Sequence, residues 1–265
     1  MTLRLSAIDL AHRNGVQALR DVNLSIEPGE RVAIIGPSGA GKSSLLNVMA
    51  TAVQPSAGEL QVLGVQPWHL GSRARQRLRA RLGLIHQAPP LPPRQRVITA
   101  VLAGKLGQWG LAKSLLNLLH PVDIDGARAL LARLDLDDKL FAQCQQLSGG
   151  QLQRVGIARV LYQAPALLLA DEPVSAMDPR LARHTLEMLC QHASDQHVTL
   201  VASLHTVELA LACFPRIIGV RDGQIAFDLD ATQVTPQRLE HLYANEHLSP
   251  AQRPSDAPAH WLPRC

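Results

Sequence analysis

The segment VAIIGPSGAGKSSLL, Val32 to Leu46, limits the possible folds more than any other stretch of the chain. A strand-like apolar run enters GxxxxGKS, Gly36 to Ser43, and a helix-like run leaves it, which is the context this loop motif requires. Gly36, Gly39 and Gly41 let the backbone turn tightly, so that the N–H groups of Gly36, Pro37–Ala40 (proline excepted), Gly41 and Lys42 can face inward. The positive end of a helix starting near Lys42 adds to that anion nest. A triphosphate fits it, with Lys42 reaching the β- and γ-phosphates, the Ser43 hydroxyl on Mg²⁺ and Ser44 supplying a second nearby hydroxyl.

A second segment, LLLADEP from Leu167 to Pro173, places two carboxylates where a fully apolar strand ends. Alone, this is a solvated strand terminus. Beside a phosphate loop, Asp171 can orient Mg²⁺, and Glu172 faces the γ-phosphate as candidate general base for an attacking water. Pro173 stops the strand.

These two strand ends imply an α/β fold, and the rest of the chain agrees. Short strands with turns between them are expected at Leu3–Leu10, Val22–Ile26 and Arg31–Ile35, giving a β-rich, antiparallel N-terminal subdomain. Further apolar runs at Leu82–Ile85, Leu167–Ala170, Val198–Ala202 and Ile217–Val220 alternate with helical stretches, which argues for a mostly parallel core sheet covered by helices. Between Gln87 and Gln146 a Pro-rich turn (APPLPP) leads into Leu- and Ala-rich helical segments, read as a helical subdomain over about 88–146 inserted in a domain spanning 1–245. The stretch 246–265, with Pro250, Pro254, Pro258 and Pro263, is expected to be a disordered tail.

Composition excludes several function classes. The 26 Lys and Arg against 22 Asp and Glu are a mild excess, and Arg73, Arg75, Arg77, Arg79 and Arg81 spread around a helix instead of forming one stripe, so no nucleic acid partner is expected. The four cysteines, Cys144, Cys190, Cys213 and Cys265, lack zinc-ligand spacing and suggest no disulfide framework. No apolar window reaches the ~18 residues of a membrane span and the start lacks a secretory signal, so any membrane role is expected to come through a partner.

LSGGQLQRVGIARVL, starting at Leu147, couples a small polar loop to an amphipathic helix, a second anion-binding helix terminus in one chain. Here the chain resembles the ABC ATPase family. The signature stands unaltered at Leu147, Ser148, Gly149, Gly150 and Gln151, SAMD at Ser175–Asp178 is similar to the D-loop, and His205 and Gln87 match the switch histidine and the Q-loop. The resemblance, over residues 1 to about 228, implies an ATPase of P-loop ABC fold that works as a head-to-tail dimer, each ATP lying between one subunit's phosphate loop and the other's LSGGQ. It further implies that Ser148 and the Gly149 and Gly150 N–H groups meet the γ-phosphate across the interface, that Gln87 senses Mg²⁺ and the lytic water, and that His205 contacts the γ-phosphate. ATP and Mg²⁺ are the cofactors so implied. The partners implied are a second copy, integral membrane permease subunits and, indirectly, a solute-binding protein, with the chain at the cytoplasmic face of the membrane.

Within the family, ALRDVNLSIEPGERVAIIGPSGAGKSSLL, VLAGKLGQWG, LADEPVSAMDP and SLHTVELA followed by RIIGVRDGQI look like the ATP-binding subunit of phosphonate importers. That branch implies import of phosphonate or a related phosphorus oxyanion. The pattern departs in three places. His12 stands where an aromatic, often Tyr, stacks on adenine; Met177 replaces Leu; and HQAPPLPPRQRV is more proline-rich and lacks the branch's second Gln. A non-transport ABC ATPase in a soluble complex, serving phosphonate degradation or DNA repair, is the alternative function. A binding-only regulatory protein is a further rival, though Glu172 and His205 are both present.

Overall fold

The computed structural model describes residues 1–12, 15–110, 114, 115, 117 and 121–244. The strands are β1 (Leu3–Ala11), β2 (Gln17–Ile26), β3 (Arg31–Ile35), β4 (Ala57–Val62), β5 (Leu82–Ile85), β6 (Leu167–Asp171), β7 (Thr199–Ser203), β8 (Arg216–Arg221) and β9 (Gln224–Asp230). The α-helices are α1 (Lys42–Met49), α2 (Ser72–Arg79), α3 (Val97–Leu102), α4 (Ile124–Ala132), α5 (Gly149–Gln163), α6 (Pro179–Asp195), α7 (Val207–Cys213) and α8 (Pro236–Tyr243).

The central sheet runs β5-β6-β7-β3-β8-β9, parallel except for β9, and a second, antiparallel sheet runs β2-β1-β4. Alternation along the central strands explains why they read as continuous apolar runs. Val32, Ile34, Leu167, Leu169, Val201 and Ile218 point to one face, where they pack with α1 and the antiparallel sheet. Ala33, Ile35, Leu168, Ala170, Leu200, Ala202 and Ile217 point to the other, against the helices from α3 to α8. With both faces covered, each of these buried side chains has a core role, at roughly 1.5–3 kcal/mol for a large aliphatic one.

Between β5 and β6 lie α3 and α4, which pack on α5 through Val97, Val101, Leu131, Val155 and Ala158. Asp123 caps α4 by accepting from Gly126 N at 2.9 Å, and its other oxygen accepts from Tyr162 Oη of α5, also at 2.9 Å. Arg154 of α5, buried, donates to the carbonyl oxygens of Leu134 and Asp135 beyond the end of α4. The helix carrying LSGGQ is thereby fastened to the inserted helices as well as to the sheet.

Two strands were not legible beforehand, β4 and β9, and β2 begins at Gln17, before the expected Val22. Both missed strands lie at sheet edges and bury only part of one face: Leu60 and Val62 in β4, Phe227 in β9. AGELQV therefore carries little apolar signal, while QIAFDLD shows only the period-2 alternation of Ile225, Phe227 and Leu229 in place of a continuous apolar run. The Pro-rich segment 246–265 lies outside the described residues.

Candidate functional site

The central sheet brings the ends of β3, β6 and β7 side by side, and every expected catalytic group follows one of these ends or that of β5. Gly36–Gly41 link β3 to α1, whose N-cap is Gly41 with no side-chain cap, so no side chain occupies the first-turn N–H groups. Gly36 has φ +151°, and a Cβ built there would stand 2.0 Å from Val220 O. Only glycine holds the loop this close to β8. Lys42 is buried and curls back, its Nζ donating to Gly36 O at 2.7 Å and Pro37 O at 2.9 Å. The ammonium thus sits at the loop's mouth. An open cleft of about 310 Å³ beside it is lined by Ser38, Lys42, Ser43 and Ser44 from the loop and by His12, Glu172 and His205. His12 is exposed at the rim, with its N–H on Val16 O at 2.9 Å.

At the carboxylate end, Ser43 Oγ donates to Asp171 Oδ1 at 3.0 Å. A hydroxyl and a carboxylate oxygen side by side next to a phosphate nest are the hard oxygen ligands that Mg²⁺ takes, so the residues present fit that ion. Glu172, one residue on, is buried and held in the left-handed region at φ +48°. Such a conformation costs a non-glycine residue on the order of 1–3 kcal/mol and persists only where the surroundings impose it. They do so here: Glu172 N donates to Ser203 Oγ at 3.0 Å and lies 3.2 Å from Ser203 O, while Glu172 O accepts from Gln153 Nε2 at 2.9 Å.

The carboxylate of Glu172 is bracketed. Gln87 Nε2 donates to Oε2 at 2.7 Å and His205 Nε2 lies 2.6 Å from Oε1. Between two donors, both oxygens are fixed in the cleft. The histidine must present N–H at Nε2, which makes Nδ1 the acceptor of the neutral ring.

The signature residues form a helix cap. Ser148 Oγ accepts from Gln151 N at 3.3 Å and Gln151 Oε1 accepts from Ser148 N at 2.9 Å, a reciprocal capping box that fixes the start of α5. Gly150 packs so closely over the D-loop that a Cβ would lie 2.8 Å from Ala176 O. Asp178 caps α6 by accepting from Leu181 N at 3.0 Å, with Pro179 at the first helical position. The residues thus fall into two groups: Ser38–Ser44, His12, Glu172 and His205 line one cleft, with Gln87 and Asp171 hydrogen-bonded to Glu172 and Ser43 behind it, while Leu147–Gln151 and Asp178 stand at two helix termini.

Two polar residues of the site escaped the sequence reading. Ser203, fully buried, accepts from Glu172 N and donates to Asp171 Oδ1 at 2.7 Å, joining the two acidic residues. Gln153, 1% exposed, is hydrogen-bonded to two loops, the one after β5 and the one between β6 and α6. Each is a buried polar residue in a mostly apolar stretch, Ser203 ending the run TLVAS and Gln153 preceding the buried run from Arg154 to Ala158. That was the available signal.

Comparison with known proteins agrees with this geometry. The family described as ABC transporter matches residues 19–175. The phosphonates import ATP-binding protein PhnC 1 of Pseudomonas syringae pv. tomato is 75% identical over 100% of both chains, and PhnC of Pseudomonas fluorescens is 70% identical, again over 100% of each. Among solved structures, a dimeric bacterial ABC transporter cassette is similar with a TM-score of 0.77 at 28% identity, covering 87% of this chain and 99% of that one. A dimeric ATP-binding cassette in a post-hydrolysis state, bound to ADP and Pi, has a TM-score of 0.74 at 27% identity, with the same coverage of the two chains. With the fold, the site and the relatives in agreement, this chain belongs to the ABC transporter family as an ATP-binding subunit.

Proposed function

We propose that the chain binds and hydrolyses ATP as one half of a head-to-tail pair and thereby energises import of phosphonate or a related phosphorus oxyanion through separate membrane subunits. The observation that carries the hydrolytic part is the Glu172 carboxylate, held at both oxygens by Gln87 and His205 in the cleft of the phosphate loop. In this reading the loop from Gly36 to Ser44 holds the phosphates of ATP and His12 lies against the base. Ser43 and Asp171 hold Mg²⁺, with Gln87 nearby. Bound there, the ion neutralises charge on the phosphate oxygens. Glu172 takes the proton of the attacking water, while Gln87 and His205 keep its carboxylate aimed.

Leu147–Gln151 stand outside the lining of this cleft, on a separate helix terminus. The reading that they serve a second copy's γ-phosphate accounts for that separation and for a chain with one loop and one signature. Dimeric cassettes among the solved relatives support it. Closure on ATP at both sites and opening after hydrolysis supply the two states that a membrane partner converts into alternating access. Among the described residues no helix is long and apolar enough to cross a membrane. The proposed permease subunits would carry the path, with a solute-binding protein delivering the substrate and this chain peripheral at the cytoplasmic face. The stretch 88–146 would be the insertion that faces them. The choice of solute rests on the full-length relatives named for phosphonate import.

The test is affinity purification of the tagged chain from gently solubilised membranes, followed by ATPase assays with phosphonate and binding protein. Recovery of a polytopic membrane protein and phosphonate-dependent turnover is the expected result. Recovery with soluble phosphonate-degrading or DNA-repair enzymes would overturn the transport reading and leave the ATPase reading standing.

A further inference from the structure

Gln153 lies on α5 four residues after Gly149 and is 1% exposed. Its two N–H groups are shared among Glu172 O at 2.9 Å, Gln87 O at 3.2 Å and Ser175 Oγ at 3.3 Å, and its Oε1 accepts from Ala176 N at 3.1 Å. The orientation of the amide is dictated by its partners. Two carbonyl oxygens at one end require the nitrogen there, and a backbone N–H at the other requires the oxygen.

These partners belong to two connections: the one after β5 with Gln87, and the stretch 172–178 between β6 and α6, which holds Glu172 at its start and the D-loop residues Ser175 and Ala176 further on. The helix that carries Gln153 starts in the capping box of Ser148 and Gln151, so the signature turn and this amide belong to one continuous helix. At the other end of the connection, Glu172 sits at φ +48°, its N–H held by Ser203 and its C=O by Gln153. Its carbonyl is thereby tied directly to α5.

We propose that Gln153 is a positioning residue that links engagement of the signature turn to the placement of Glu172 in the same chain. This rests on the head-to-tail reading, in which Ser148 meets a second copy's ATP and Glu172 acts on the chain's own. Gln153 then makes each half of the closed pair report on the other. A strained residue is held in catalytic geometry only while α5 is seated. The coupling passes through hydrogen bonds and a rigid helix, with no covalent step.

The experiment compares Gln153→Met, which conserves volume but makes no amide hydrogen bonds, with Ser148→Ala and the double variant, in the full chain assembled with its partners. Gln153→Met is expected to lower kcat at least tenfold, with the KM for ATP and the nucleotide stoichiometry within twofold of the parent. In the double variant the two losses are expected to overlap, so that Ser148→Ala adds less than twofold. A kcat within twofold of the parent, or losses that multiply in full, overturns the proposal, because a merely structural glutamine would leave the Ser148 effect intact. Should Gln153→Met fail to fold, Gln153→Glu is read the same way, since it keeps the acceptor for Ala176 N but turns an oxygen toward the Gln87 and Glu172 carbonyls. The underlying pairing is tested separately: if Glu172→Gln stays monomeric with ATP, the head-to-tail reading and this inference both fall, whereas the Gln153 result alone removes only the inference.

Discussion

His205 Nε2 lies 2.6 Å from Glu172 Oε1, so the histidine from the loop after β7 and the acid from the end of β6 form one hydrogen-bonded unit. His205 is half exposed while Glu172 is buried. The pair therefore connects the interior of the sheet edge to the open cleft. Glu172→Gln is expected to keep nucleotide binding and accumulate an ATP-bound dimer, with turnover down by about 10²- to 10⁴-fold, the range for loss of a general base. Phosphate release and size exclusion with ATP measure the two effects. Turnover equal to the parent's would remove Glu172 from the base role.

Ser203→Ala deletes the hydroxyl that joins Asp171 to the Glu172 N–H. The buried N–H keeps only the longer approach to Ser203 O. Stability is expected to fall by about 1–3 kcal/mol, the usual cost of an orphaned buried partner. Denaturant unfolding would show it, and kcat should fall with little change in the KM for ATP. A stability equal to the parent's would mean that the carbonyl alone satisfies Glu172.

Gly36→Ala and Gly39→Ala separate close approach from backbone strain. Both glycines have positive φ, but a Cβ at Gly36 meets Val220 O at 2.0 Å, whereas one at Gly39 has nothing within 4 Å. Gly36→Ala is expected to displace the loop and abolish binding of a fluorescent ATP analogue. Gly39→Ala is expected to cost about 1 kcal/mol of conformational strain and retain measurable binding.

His192 on α6 meets Arg133 beyond α4, Nδ1 lying 3.4 Å from Arg133 Nη1. Burial, and secondarily the Arg133 charge, lower its pKa from the ordinary histidine value, Asp195 opposing them. The unfolded chain then binds this proton more readily than the folded one, so its contribution is unchanged above about pH 6.5 and stability is lost as pH falls below that value. Denaturation midpoints measured from pH 7.5 to 5 should fall less steeply in His192→Gln than in the parent. Parallel slopes would assign the acid sensitivity elsewhere.

Much of the candidate site is legible in the sequence. The loop Gly36–Ser43, the acidic strand end and LSGGQ are local signals, because a phosphate nest, a strand terminus and a helix cap are each made within a few successive residues. The central strands were readable because both faces of the sheet are covered and most of their residues are buried and apolar. The edge strands β4 and β9 lack such runs: β4 buries only Leu60 and Val62, and β9 carries its apolar residues in alternation, Ile225, Phe227 and Leu229, and not as a block.

Sequence alone therefore determined the family, and it singled out the glycine loop, the acidic strand end and His205 as candidate site residues. Only the tertiary structure decided that Gln87 and His205 hold opposite oxygens of Glu172, that Ser203 joins the two acids, and that Gln153 ties two loops to the signature helix. Those contacts span from 19 to 85 residues of sequence, and no local pattern records which buried polar group meets which. The physical reason is that a hydrogen bond across a core is specified by the packing of whole strands and helices, whereas a phosphate loop is specified by its own backbone.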